Sequence, residues 1–172
     1  MVARINLSHF MTEQAERARQ KHGIDFVAST DAPSDYPALL AAYDTATSAG
    51  KRFPVSNAHC ERTIYPNPTS NLRFRFVHDM EHVTRGLDFS VDDEIDVACH
   101  HLEALRTAGY PADSYEHRLL HADTIGQTYC QVLIGRFPFD QLRFAYDCVD
   151  YGVDAAVERE AAWGEPRPPC TR

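Results

Sequence analysis

The chain is short of lysine, of paired cysteines and of long apolar runs, and each shortage removes a class of protein. Lysine occurs 2 times against 15 arginines, and acidic residues outnumber both, giving a formal net charge of -8 over 172 residues. No dense basic run is present, so nucleic acid is disfavoured as a partner, because neutralising a phosphate backbone needs a basic surface. The 5 cysteines, Cys60, Cys99, Cys130, Cys148 and Cys170, are odd in number and form no C-x-x-C pair. That excludes a Cys-rich zinc knuckle and argues against a disulfide framework. Most of these thiols read as reduced, small buried hydrophobes. No stretch approaches the ~20 apolar residues that span a bilayer, and the start lacks the roughly 7–15-residue apolar core of a signal peptide. The expectation is a soluble, cytoplasmic chain with no transmembrane segment. A Gly-rich phosphate loop, a G-x-S-x-G elbow and a Cys-His nucleophile pairing are also missing.

What is present has globular proportions, with 44% hydrophobic and 24% charged residues. A chain of this length can bury one core, so one domain is expected. Residues 8–22 suit a helix capped by Ser8, with Phe10, Met11, Ala15 and Ala18 as its stripe and Gly23 as its end. A short extended piece follows at residues 24–29, then a second helix with Pro37 in its first turn and Gly50 as its stop. Residues 51–69 contain Pro54, Pro66 and Pro68 and read as a long loop with one short strand at 62–65, long enough to cover a pocket. From residue 70 to 160 four amphipathic helices follow closely, over about 70–85, from Ser90 to about 108, from Asp113 or Ser114 to 133, and over 138–160. The third carries Tyr115, Leu119, Ala122, Gly126, Tyr129 and Leu133 on one face. Residues 161–172 read as an irregular Pro-rich tail. Short links between amphipathic helices favour antiparallel neighbours, so the expected fold is an all-α, single-domain antiparallel helical bundle.

Histidines and carboxylates concentrate in the stretch RFVHDMEHVTRGLDFSVDDE, residues 75–94. At about 100° per residue, His82 lies about 40° and Asp79 about 100° from His78 on the helical wheel, so the three potential ligands share one face. Gly86 ends that helix and Ser90 starts another, so an antiparallel return can carry Glu94 back toward His82. Two histidines at i and i+4 form a helical metal-binding spacing, and the mixed nitrogen and oxygen set suits zinc first, with iron or manganese as further candidates. Arg75 lies about 60° round the same wheel and could pair with a carboxylate or phosphate on a small-molecule substrate. His101 shares the face of Glu94 and is a candidate supporting partner for the metal ligands. Asp123 lies at the edge of an apolar stripe and is a candidate general base. A second i, i+4 pair, His117 and His121, points to the polar side and reads as surface.

The segment HDMEHVTRGLDFSVDDE resembles the signature of a ubiquinone-biosynthesis protein family, whose zinc motif is HDxxH followed by eleven residues and Glu. His78, Asp79, His82 and Glu94 fall on its four ligand positions, and Val83 and Gly86 agree with the valine and glycine that follow the second histidine. The resemblance covers about twenty residues. It implies an all-helical fold and a metal that supports oxidative removal of a carboxyl group from a prenylated aromatic ring.

Two other classes stay open. HD-type metal-dependent phosphohydrolases add an upstream histidine and a distant aspartate to a His-Asp pair, roles that His59 and either Asp123 or Asp147 could take. The remaining class is a non-catalytic acidic binding protein whose metal only staples two helices. An enzyme of this kind would be a decarboxylase or lyase, or else a hydrolase. Oligomeric state leaves no mark in the sequence.

Overall fold

The computed structural model describes residues 1–163. Helix α1 (Val2–His22) begins at the chain start rather than at Ser8, which is buried inside it and shares a 2.6 Å hydroxyl hydrogen bond with Ser70. A serine cap signal therefore marked a packing contact. At the other end Gly23 takes φ 69 and donates its N–H to the Arg19 carbonyl at 2.9 Å.

Strand β1 (Phe26–Ser29), helix α2 (Tyr36–Ala49) and strand β2 (Phe53–Ser56) form a parallel crossover unit, with Phe26 opposite Phe53 and Ser29 opposite Ser56. Parallel strands need such a crossover to return in the same direction. The expected strand at 62–65 is instead irregular backbone, and the strand in the 51–69 segment lies earlier, at β2. The physical reason is burial: Phe53 and Val55 alternate inward to a core that also holds Leu39, Phe76 and Met80. Residues 63–65 find other partners. Arg4 of α1 donates to the carbonyls of Thr63, Ile64 and Tyr65 at 3.1, 3.1 and 2.7 Å, which orders the segment without a ladder.

Helix α3 (Pro68–Arg85) starts at Asn67, whose side chain accepts from the Ser70 N–H, with Pro68 in the first turn. It divides two apolar clusters. Phe76, Val77 and Met80 face the strands and α2, and Phe74 reaches the larger core built from α1 and the later helices. Helix α4 (Val91–Thr107) begins at the Ser90 cap, with Asp92, Asp93 and Glu94 in its first turn, where the positive end of the helix dipole favours acids.

The third expected helix is broken into α5 (Tyr115–His121), a π-helical turn (Ala122–Gly126) and α6 (Gln127–Ile134). Thr124 and Thr128 bond back to the carbonyls of Leu120 and Thr124, a contact that loosens the backbone ladder. Helix α7 (Gln141–Tyr151) packs close here, since a Cβ on Gly126 would lie 3.4 Å from Cys148 Sγ and 3.5 Å from Phe144. The wider turn rotates everything after it. Leu119, Ala122 and Gly126 are buried as expected, whereas Tyr129 and Leu133 are 49% and 60% exposed, and Gln127 and Cys130 take their place inside. The fourth expected helix is also divided, into α7 and α8 (Val153–Trp163), at Gly152 with φ 89. Residues 161–163 belong to α8, and the rest of the predicted tail lies outside the described residues. The mainly helical fold is as expected, with one two-stranded sheet added.

Candidate metal centre

The turn between α3 and α4 creates the site. Gly86 at φ 68 and Leu87 both donate to the His82 carbonyl, at 3.0 and 3.2 Å. The Asp88 N–H bonds to the Asp93 carboxylate, and the Ser90 N–H to that of Asp88, each at 2.7 Å. This tight return sets the first turn of α4 against the last turns of α3. Glu94 thereby faces His78 and His82.

The ligand atoms of His78, His82 and Glu94 all lie within 4.8 Å of one another. The two Nε2 atoms are 3.0 Å apart, and Glu94 oxygens lie 3.2 Å from His78 Nε2 and 3.6 Å from His82 Nε2. Ligands of a tetrahedral zinc ion, bound at about 2.0–2.1 Å, stand about 3.3 Å apart, so the spacing fits such an ion. The buried His82 bonds through Nδ1 to the Leu87 carbonyl at 3.1 Å. A carbonyl only accepts, so Nδ1 carries the hydrogen and Nε2 faces His78 and Glu94, as a donor when the ring is protonated and as a lone pair open to a cation when it is neutral.

Electrostatics in the cluster follow from three polar groups crowded away from water. Burial opposes charge on His82, but the hydrogen bond and charge of Glu94, the Leu87 carbonyl and Asp79 outweigh it and raise its pKa. Burial likewise opposes ionised Glu94, yet hydrogen bonds from His78 and His82 draw it down to about 2. A divalent cation would take over the role of the shared protons and release them on binding.

Asp79 is not among the clustered ligands. It is displaced about 100° round the helix from His78, whereas His82 is displaced by only about 40°. Burial lifts its carboxyl to about 6, against the pull of His78, His82 and Arg75. His101 is buried and stacks on His78 with ring centroids 5.5 Å apart, and it also packs on Phe74. It too stands outside the ligand cluster, and its Nε2 has no hydrogen-bond partner among the described residues. Burial first, then the neighbouring His78 and His82, push its pKa well below the ordinary imidazole value.

His78 and Glu94 open onto a cavity of about 570 Å³, which Arg75 and Asp123 also line. Arg75 donates to the Ser56 carbonyl at 2.9 Å, tying α3 to the end of β2. Ser56, Ala58 and His59 of the 51–69 segment form part of the wall. Asp123 lies in the π turn, 8% exposed, and accepts from Gln127 Nε2 at 2.8 Å. Burial raises its carboxyl to about 7, opposed by Arg75 and Gln127. Asp147 is held instead by Arg143 and Arg159.

Sequence reasoning did not find Gln127 or Arg136 as cavity residues. Gln127 shares the wall with Asp123, four residues before it, whose Oδ1 accepts its side-chain N–H. Arg136 reaches it through a tertiary contact, an ion pair at 2.7 Å with Glu160, which is fully buried. Neither carries a spacing signal relative to the histidine motif.

Among the described residues no helix is long and apolar enough to cross a membrane. No protein-family model, curated protein or solved structure matches the chain.

Proposed function

We propose that this is a zinc-binding helical protein working as a metalloenzyme on a small organic or aromatic carboxylate. The observation that carries the reading is the convergence of His78, His82 and Glu94 at ion-binding distances beside a cavity. The motif-level resemblance to the ubiquinone-biosynthesis family supports it independently, since three of the four positions in that motif are the clustered ones. Asp79, the fourth, stands outside that cluster, so an ion held by the other three would keep a position open for water or substrate. A bound zinc ion supplies Lewis-acid polarisation at such an open position. The chain's own residues do the rest: Leu87 holds the tautomer of His82, and Arg75 on the cavity wall pairs with the substrate carboxylate.

A second reading is favoured by one observation, that His59 and Asp123 line the same cavity as His78. A phosphohydrolase of the HD type would release phosphate from nucleotides when manganese or cobalt is added, and the carboxylate enzyme would not.

Elemental analysis of purified wild type beside His82→Ala and Glu94→Ala tests the main reading. Wild type should carry close to one zinc per chain and both variants far less. Metal-free wild type would refute it, and equal metal in all three would move the ion elsewhere.

A further inference from the structure

The wall of the cavity that comes from the third helical segment is polar. Asp123 and Thr124 lie within the π turn and Gln127 directly follows it, and all three line the cavity. Single π turns inside α-helices occur frequently at functional sites. Asp123 is the one ionisable group of that wall, and the cavity brings it into the same space as His78 and Glu94. Its Oδ1 accepts from Gln127, leaving Oδ2 for a proton. The other polar groups near it are Arg75 from α3 and Tyr65, whose fully buried hydroxyl has no hydrogen-bond partner among the described residues.

We infer that Asp123 is the proton acceptor of this site, taking the proton from a weakly acidic O–H ligand as the ligand's anion settles on the metal. The O–H bond breaks, its electron pair stays on the ligand oxygen, and the proton bonds to Asp123 Oδ2. No other co-reactant is needed. The inference rests on the metal reading of His78, His82 and Glu94. Its support is geometric: a buried carboxylate with one oxygen engaged, across a shared cavity from two of the three ligands. Its raised pKa, about 7, means the carboxylate is a far better proton acceptor than an exposed one.

The test uses zinc-loaded protein and acetohydroxamic acid, a zinc-seeking acid that binds as its anion. Titration calorimetry at about pH 8, in two buffers of different ionisation enthalpy, counts the protons released per ligand bound. Wild type should release close to none, because a hydrogen bond from Asp123 to the bound anion holds the proton there at a pH where the carboxyl without ligand is ionised. Asp123→Asn should release close to one. Asp123→Glu should return the count toward wild type, and Gln127→Met, which keeps the carboxylate, should leave it near none. If Asp123→Asn does not fold, wild type itself decides the question, since release of close to one proton from it overturns the inference. Equal release from wild type and Asp123→Asn would overturn the inference. So would failure of the probe to bind zinc-loaded wild type, which leaves the metal reading intact. Failure of the metal reading itself is separately visible, as absence of zinc in the elemental analysis.

Discussion

The buried carboxyl of Asp123 makes a prediction about stability that needs no metal and no substrate. Its pKa rises from 3.8 to about 7 on folding, chiefly through burial, against the pull of Arg75 and Gln127. Below about pH 4 the group is protonated in both the folded and unfolded chains and contributes no pH dependence. Between about pH 4 and 7 the unfolded chain has lost this proton while the folded chain keeps it. Folded protein then binds more protons, so stability falls as pH rises, by about 1.4 kcal/mol per pH unit. Over the whole window the loss comes to about 4 kcal/mol. Above about pH 7 both states are ionised and the slope from this group disappears. Asp123→Asn keeps the acceptor for Gln127 Nε2 and removes the titration. Urea unfolding of chelator-treated wild type and variant, followed by circular dichroism from pH 4 to 8, isolates the effect as a difference. Other titrating groups, Glu94 and His82 among them, cancel in that difference. The variant should gain on wild type steadily as pH rises, by about 4 kcal/mol between the ends. Parallel stability curves would refute the reasoning.

Glu160 is fully buried and accepts from Arg136 at 2.7 Å, from Arg143 and from the Phe139 N–H at 3.0 Å. Glu160→Ala would strand these donors and should cost about 3–5 kcal/mol in urea unfolding, with less than about 1 kcal/mol contradicting the ion-pair account. Zinc at about 100 times its dissociation constant should stabilise the folded chain by about 2.7 kcal/mol, read as a rise in thermal midpoint that His82→Ala abolishes. An equal rise in His82→Ala would place the ion away from the α3–α4 turn.

Much of this molecule could be read along the chain because its causes are local. Asn67, Ser90 and the left-handed glycines Gly23, Gly50 and Gly86 set helix ends within a few residues of where they act. The histidine pair of the metal centre is local in the same sense. His78 and His82 share one edge of α3 by helical geometry, and the stop at Gly86 with the restart at Ser90 makes the approach of Glu94 a short-range event. Asp79, next to His78 in sequence but about 100° away on the helix, stands outside the three-residue cluster.

Tertiary contact decided the rest. Whether 53–56 or 62–65 became a strand depended on which could pair with Phe26–Ser29 over a waiting apolar core, and Arg4 satisfied the carbonyls of the other from a distance of some 60 residues. The π turn formed where α7 presses on Gly126, a neighbour that no helical wheel includes. Past that turn Tyr129 and Leu133 face the surface, while Gln127 lines the cavity beside Asp123. Capping and helical period act over a few residues, so the helical chain and the His78, His82 and Glu94 edge are written locally in the amino-acid order. What faces that edge depends on long-range packing, because a cavity wall is assembled from segments whose relative rotation follows from how the whole core packs.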